Sequence, residues 1–244
     1  MNNFTDNFIK DKKNMTLLNE TMWGPNSLRM AEELAAQLTI TKDMRVLDLG
    51  CGLGLTSMYL VKEFGAQVFA TDLWANPTEN YERFESWGIA DKAIPIQADA
   101  TKDNPFAKGY FDMLFCVGAY MHFGFVPKML ETMASYVKKG GYIAIALQGL
   151  KKDFGKDIPK EMQPFWNKDV AEAIRSIDFW TQLWKSEAGL EIVSIKEMDC
   201  HKLAWDEYLA SRNPDKEDEK WDLDMMAAEG GKYYNTIQLI AKVK

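Results

Sequence analysis

Short apolar runs alternate with amphipathic stretches along most of this chain. The first apolar run, residues 46–49, suits a strand that is buried on both faces. From Leu55 onward, apolar residues recur at helical spacing until Gly65 ends the pattern. Because this order repeats, we expect an α/β domain with a mostly parallel sheet.

The same alternation of apolar runs and amphipathic stretches predicts the remaining strands and helices. It predicts further strands at residues 67–72, 93–99, 111–120, 142–147, 191–198 and 233–243, and helices at residues 27–38, 76–87, 126–137 and 176–188. The alternation stops at residues 148–176, which are rich in proline and aromatic side chains, and again at residues 199–232. Within the second interruption, the charged residues 213–224 are predicted to form a solvated loop.

Composition narrows the class of protein. With 244 residues, 47% of them hydrophobic, the chain can bury one sizeable core. A formal net charge of -7 argues against a broad nucleic-acid-binding face. Three scattered cysteines suggest neither a disulfide framework nor a zinc cluster. With no signal peptide or membrane span recognisable, we expect a cytoplasmic protein.

Three glycines follow the first strand directly. Gly50, Gly52 and Gly54 lack the Cβ atom that would keep a ligand away from the backbone. A dinucleotide fold has the spacing G-x-G-x-x-G, and the third glycine position of that motif is Leu55 here. The spacing therefore disfavours a nicotinamide cofactor, although an oxidoreductase stays open as an alternative.

Three predicted strands in succession end in an acid. These acids are Asp48, Asp72 and Asp99. Ligands of open α/β sheets bind at the carboxyl ends of strands, so the three side chains should lie near one site. Asp72 also follows Gly50 by the roughly 20 residues expected of a carboxylate that binds ribose hydroxyls.

The order acid-x-G-x-G-x-G from Asp48 to Gly54 resembles the first motif of class I S-adenosylmethionine-dependent methyltransferases. The fourth strand, its helix, a KKGG turn and the fifth strand resemble that family too, although Lys139 replaces the usual proline of the turn. The resemblance covers about residues 28–243. It is nearest to small-molecule enzymes similar to the cyclopropane-fatty-acid-synthase and quinone methyltransferase group.

The resemblance implies a doubly wound, seven-stranded, mostly parallel sheet with an antiparallel C-terminal edge hairpin, helices on both faces and a helical, aromatic cap. It implies S-adenosylmethionine as cofactor, with Asp72 on the ribose, Leu73 and Trp74 beside the adenine, and Asp99 and Ala100 at the adenine edge. The cofactor-binding residues that it implies are Asp48, Gly50, Cys51, Gly52, Gly54, Asp72, Leu73, Trp74, Asp99, Ala100 and Val117.

The domain organisation follows from these assignments. We expect a single domain in which residues 1–40 form an N-terminal helical lid and residues 41–147 form the cofactor-binding core. Residues 148–176 and 199–232 would form cap insertions. The polar N-terminus before Leu17 and the aromatic insert are expected to open for substrate and to close over it.

The predicted reaction is in-line methyl transfer to a small-molecule acceptor, with an oxygen or nitrogen nucleophile favoured and no metal required. His122, just beyond the fourth strand, is the candidate acid/base, with Tyr120 as second candidate; a structural role for His122 weighs equally. Of the tryptophans after the fifth strand, one or two at most should touch substrate. A non-catalytic cofactor-binding protein is the alternative from another class. No nucleic-acid partner is expected, and a monomer and a homodimer both stay open.

Overall fold

The computed structural model describes residues 3–102 and 104–244. A seven-stranded sheet in the order β3-β2-β1-β4-β5-β7-β6 organises the molecule. β7 runs antiparallel to both of its neighbours, whereas the pairs from β3 to β5 are parallel. The strands are β1 (Arg45–Leu49), β2 (Gln67–Asp72), β3 (Ala93–Gln97), β4 (Phe111–Val117), β5 (Val137–Leu150), β6 (Leu190–Glu197) and β7 (Tyr234–Val243).

Helices cover both faces of this sheet, so the predicted fold class is confirmed. Ten α-helices lie in the described part of the chain, together with two short 3-10 turns at Tyr120–His122 and Gln163–Phe165. The helices are α1 (Phe4–Phe8), α2 (Lys12–Thr21), α3 (Ser27–Ala35), α4 (Leu55–Phe64), α5 (Pro77–Ser86), α6 (Met129–Tyr136), α7 (Lys168–Ala173), α8 (Ile177–Lys185), α9 (His201–Ala210) and α10 (Glu217–Glu229).

Two hydrophobic cores form, one on each face of the sheet. The first packs α3, α4 and α9 against the strands, with Leu34, Met58 and Trp205 among its buried side chains. The second packs α6 and α8, with Met133 and Trp184. The central strands supply side chains to both cores, which explains why β1 and β4 read as continuous apolar runs.

Several predicted elements differ in type or extent, including β3, which ends at Gln97, two residues before Asp99. Residues 213–224 are not a loop throughout, because α10 begins at Glu217. The KKGG stretch does not end a helix, since it lies inside β5, which starts at Val137 and extends to Leu150. Residues 148–150 consequently belong to the sheet, so the first cap insertion begins at residue 151. β4 ends at Val117, three residues earlier than predicted, before a 3-10 turn.

The N-terminal helices are tied to α3 by charged side chains. Glu32 accepts hydrogen bonds from the backbone amides of Phe4 and Thr5 at 2.8 and 3.2 Å, and so satisfies free N–H groups of α1. Arg29 forms ion pairs with both Asp6 and Glu207 at 2.7 Å, which joins α1 to α9 across α3. The predicted lid of residues 1–40 can be described only from residue 3 onward, since residues 1 and 2 lie outside the described part.

No helix within residues 3–102 and 104–244 has the length and apolar character needed to cross a membrane.

The lid prediction can be tested by hydrogen exchange. We expect amides of α1, α2 and residues 151–176 to exchange faster than those of β4, because these segments lie outside the sheet, and to slow when S-adenosylhomocysteine is added. Amide exchange resolved by mass spectrometry would measure both effects, with β4 as internal reference. Exchange as slow as in β4, and unaltered by the added compound, would contradict the lid.

Candidate functional site

A cavity of about 520 Å³ opens at the carboxyl ends of β1, β2 and β4. This volume lies within the roughly 300–1,000 Å³ typical of small-molecule sites. Its sheet-side wall comes from the glycine turn and the strand ends. That wall includes Gly50, Cys51, Gly52, Leu53, Leu55, Thr56, Asp72, Trp74, Val117, Gly118, Ala119, Met121 and His122.

The glycine turn is held against the end of β2. The backbone amides of Gly50 and Cys51 both donate to the carbonyl oxygen of Thr71, at 2.7 and 3.2 Å. Gly50 adopts a φ of +77°, and a Cβ atom there would lie 2.2 Å from the Cβ of Ala119. Both the backbone conformation and the space therefore require glycine at this position.

Asp72 organises the turn from the neighbouring strand. One carboxylate oxygen accepts from the amide of Gly52 at 2.9 Å, and the other accepts from the amides of Trp74 and Ala75 at 2.8 and 3.0 Å. A carboxylate has about four lone-pair sites, so three bonds leave it able to accept another hydrogen bond. Because Asp72 lines the cavity, that remaining capacity is directed to the site.

Asp48 lies under the turn rather than in the cavity. Its side chain is 1% exposed and accepts hydrogen bonds from the hydroxyls of Thr56 and Ser57, both at 2.6 Å. Burial raises the pKa of this carboxyl group to about 6. Asp48 is therefore placed to anchor the start of α4 to β1, and this position does not support direct contact with a ligand.

Four other predicted cofactor residues do not line the cavity: Gly54, Leu73, Asp99 and Ala100. The Asp99 carboxylate accepts from the hydroxyl and amide of Thr101 at 2.6 and 2.9 Å and pairs with Lys102 at 3.3 Å. The two Thr101 bonds, followed by the lysine, lower the pKa of Asp99. Because Asp99 already has these local partners, its predicted contact with a nucleobase remains a prediction.

His122 faces the cavity from the 3-10 turn after β4. Its ring lies 6.3 Å from that of Trp74, centroid to centroid, in an edge-to-face arrangement. No hydrogen-bond partner for the imidazole occurs among the described residues. Partial burial lowers the pKa of His122 below the ordinary 6.5, so the ring is neutral at neutral pH and able to accept a proton.

Tyr120, the second candidate, is fully buried and does not line the cavity. Its hydroxyl accepts a hydrogen bond from the indole nitrogen of Trp184 at 3.1 Å and donates to the carbonyl of Gly124 at 3.4 Å. Burial raises its pKa well above the usual value. This placement does not support a catalytic role; it indicates that Tyr120 fixes the turn that presents His122.

The opposite wall of the cavity was largely missed from the sequence. It comes from the turn before α3, from the end of β5, and from α7, α9, α10 and β7. The residues of this wall, called the cap-side wall below, are Thr21, Met22, Trp23, Gly24, Pro25, Ser27, Met30, Gln148, Asp169, Val170, Ala173, Ile174, Trp205, Trp221, Asp222, Met225 and Tyr234. Gln148 had a signal, because it is the first polar residue after the apolar run of β5.

Two of the tryptophans after the fifth strand line this cavity, and their contact with substrate stays a prediction. Trp205 and Trp221 line the cavity, whereas Trp180 and Trp184 are fully buried in the second core. Among residues 3–102 and 104–244, no three His, Cys, Asp or Glu side chains lie close enough together to hold a metal ion. Cys51, Cys116 and Cys200 are free thiols.

Known proteins with a similar sequence are methyltransferases. A family model described as a methyltransferase domain matches residues 47–145. Methyltransferase GfsG of Streptomyces halstedii is 27% identical over 174 residues, covering 70% of this chain and 61% of that protein. The chloroplastic tocopherol O-methyltransferase of Arabidopsis thaliana is 30% identical over 196 residues, covering 75% of this chain and 54% of that protein. The chain thus spans less than two thirds of either relative.

A solved structure shares the fold. Geranyl diphosphate C-methyltransferase from Streptomyces coelicolor A3(2), crystallised with Mg²⁺, geranyl-S-thiolodiphosphate and S-adenosyl-L-homocysteine, aligns with a TM-score of 0.71. It is 18% identical and the match covers 90% of this chain and 77% of that one. The family model and these relatives support a class I S-adenosylmethionine-dependent methyltransferase. The cofactor of this methyltransferase family is S-adenosylmethionine. The names of the relatives of this chain differ in the atom that is methylated.

Because Asp72 and Asp99 have different surroundings, substituting each of them tests which carboxylate contributes more to cofactor binding. We expect Asp72→Ala to weaken binding of S-adenosylhomocysteine by roughly 1 to 3 kcal/mol, because a buried charge-assisted hydrogen bond is lost. Asp99→Ala should cost less, since the Asp99 carboxylate already bonds to Thr101 and Lys102. Titration calorimetry would measure both, with the melting temperature as a check of folding. Equal losses in the two variants would contradict the ranking.

Proposed function

We propose that this chain transfers the methyl group of S-adenosylmethionine to a small-molecule acceptor with an oxygen or nitrogen nucleophile. The main observation behind the proposal is that two chemically different walls line one cavity. A glycine turn with a ribose-competent Asp72 forms one wall, and a cap with aromatic and acidic side chains forms the other. His122 lines the same cavity and has a free imidazole.

The residues present fit the cofactor. Gly52 lines the cavity, and a Cβ atom added there would point toward the Trp23 ring, at 3.6 Å, so the absent side chain leaves space at the turn. Asp72 keeps hydrogen-bonding capacity, and Trp74, which is 69% exposed, offers an indole face beside it. A sulfonium is also favoured by aromatic faces and carboxylates, both of which line the cavity.

The cofactor supplies an already activated methyl group, so the protein mainly has to align the reactants and exclude water. Asp72 and the glycine turn would orient the nucleoside. The cap-side wall would hold the acceptor, and a ring nitrogen of His122 would accept the proton that the nucleophile loses. Tyr120 would act through position alone, because its hydroxyl is engaged with Trp184.

Two alternatives carry less support. A non-catalytic cofactor-binding protein would need no free base in the cavity, yet His122 is one. A nicotinamide-dependent oxidoreductase is disfavoured by Leu55 at the third glycine position and by the match of residues 47–145 to a methyltransferase domain. The three free thiols fit the cytoplasmic location expected from the sequence, which stays a prediction.

The proposal is tested in two stages. Calorimetry should show saturable binding of S-adenosylmethionine and S-adenosylhomocysteine, and none of NAD. A panel of amines, phenols, alcohols and carboxylates is then assayed for release of S-adenosylhomocysteine over a control without protein. Binding of NAD but neither S-adenosyl compound would overturn the proposal. Turnover with any acceptor would exclude the non-catalytic alternative.

His122→Ala should lower turnover by on the order of 10² to 10⁴ if the ring transfers a proton, with cofactor affinity nearly intact. In the unmodified chain, activity should rise with pH as the imidazole loses its proton. The midpoint of this rise should lie below pH 6.5, the ordinary pKa of histidine, because burial lowers the pKa of His122. The rise should vanish in the variant; pH profiles of turnover would show this.

His201→Ala is the matched control. His201 bonds through Nδ1 to the Thr236 hydroxyl at 2.9 Å and does not line the cavity, so its loss should leave the rise in place. Turnover of His122→Ala close to that of the unmodified chain over the whole pH range would assign His122 a structural role.

A further inference from the structure

The charged side chains that line the cavity have one sign. They are Asp72, Asp169 and Asp222, and no Lys or Arg of the described residues lines the cavity. Asp72 belongs to the glycine turn, so two carboxylates are left on the cap-side wall. Because an acceptor with a phosphate or carboxylate group would meet no positive partner here, the lining disfavours an anionic acceptor.

Asp222 is the better placed of these two carboxylates. It is half-buried on α10, and one of its oxygens accepts a hydrogen bond from the Tyr208 hydroxyl at 2.6 Å. Within the described residues it forms no salt bridge at 4.0 Å or less, whereas the neighbouring Asp224 pairs with Lys220 on the exposed face. Burial raises the pKa of Asp222, an effect that a bound cation would reverse.

Gln148 is an independent sign of a ligand on the same wall. This residue is 8% exposed and lines the cavity at the end of β5. Its carboxamide has no hydrogen-bond partner among the described residues, and its polar atoms are reachable from the cavity. A polar group of a bound molecule would satisfy it, and the carbonyl oxygen could accept an N–H bond.

Two indole rings line the same cavity as Asp222 and Gln148. Trp205 is 4% exposed and Trp221 is 41% exposed; both line the cavity, and Trp221 directly precedes Asp222 in the chain. Aromatic faces attract cations, and the attraction strengthens where water is excluded. The cavity thus combines a carboxylate, a carboxamide without a partner and two aromatic rings. Together these groups suit the recognition of an ammonium group.

We propose that the methyl acceptor is an amine, which enters the cavity as an ammonium ion held by Asp222 and by the carboxamide oxygen of Gln148. The inference rests on the proposed function and narrows its acceptor from oxygen or nitrogen to nitrogen. Trp205 and Trp221 line the space around the ammonium group. Asp169 adds negative charge at the edge of the same wall.

The proposed step balances with the groups already described. The ammonium ion gives one proton to a ring nitrogen of His122, which frees the nitrogen lone pair. That lone pair forms the new bond to the methyl carbon as the bond from this carbon to sulfur breaks, and the sulfur keeps the electron pair. The methylated amine leaves as a cation, and His122 returns its proton to solvent.

Three probes of matched shape test the charge preference: benzylamine, benzyl alcohol and benzoate. Their dissociation constants are measured by ligand-observed NMR at neutral pH, on the chain alone and on the chain saturated with S-adenosylhomocysteine. We expect benzylamine to bind about 10-fold more tightly than benzyl alcohol, as a charge-assisted hydrogen bond predicts, and benzoate to bind most weakly.

Substitutions distinguish the contribution of Asp222 to probe binding from that of Gln148. Asp222→Asn should abolish the preference for benzylamine over benzyl alcohol, because it removes the charge but keeps the shape. Gln148→Met should weaken both probes alike, since either one can donate to the lost oxygen. Asp224→Asn, in the same helix and outside the cavity, is the control and should change neither constant.

Benzoate binding as tightly as benzylamine would overturn the inference, as would no detectable binding of benzylamine. An unaltered charge preference in Asp222→Asn would do so too, provided that the melting temperature shows the variant to be folded; if it is not, Gln148→Met decides. Failure of the proposed function has another signature, namely no binding of S-adenosylhomocysteine, while the order of the three probes can still be read on the chain alone.

Discussion

The site depends on one shared carbonyl oxygen. The amides of Gly50 and Cys51 both donate to Thr71, so the end of β1 is fixed to the end of β2 before any ligand is considered. Asp72, the next residue, continues the arrangement by accepting from Gly52. The strand order reverses direction between β1 and β4, and the cavity lies at the carboxyl ends of the strands there. The cap-side wall borders the other side of this cavity.

How much could be predicted from the sequence follows from how local each feature is. The glycine turn and the strands beside it are specified by neighbouring residues, so the fold class and the positions of Gly50, Gly52 and Asp72 followed from spacing. Side-chain direction inside a short turn is less local. Tyr120 and His122 are two residues apart, yet one bonds to Trp184 on a distant helix and the other faces the cavity. No spacing rule could have separated them.

The cap-side wall shows the opposite case, in which the sequence carries little signal. Residues 213–224 are dominated by charge, and α10 forms from Glu217 with Asp222 and Met225 at the cavity while its other side meets solvent. What decides its position is contact with distant elements, such as the bond from Tyr208 on α9. The position of Gln148 after the apolar run of β5 was a sequence signal, but that its carboxamide has no partner in the described residues could be seen only in the structure. The proposed acceptor site is therefore a tertiary property, whereas the proposed cofactor site is largely a motif.

The sheet order has a consequence for how the molecule is made. β7 is the last strand along the chain, yet it lies between β5 and β6 and pairs with both. During synthesis, the hydrogen-bonding edge of β5 must therefore stay open until residues 234–243 have left the ribosome, and β6 has no sheet to join until then. Open strand edges template aggregation, so the nascent chain is vulnerable until β7 has paired. Completion of the sheet, and with it the positions of Gln148 and Tyr234, therefore waits for residues 234–243.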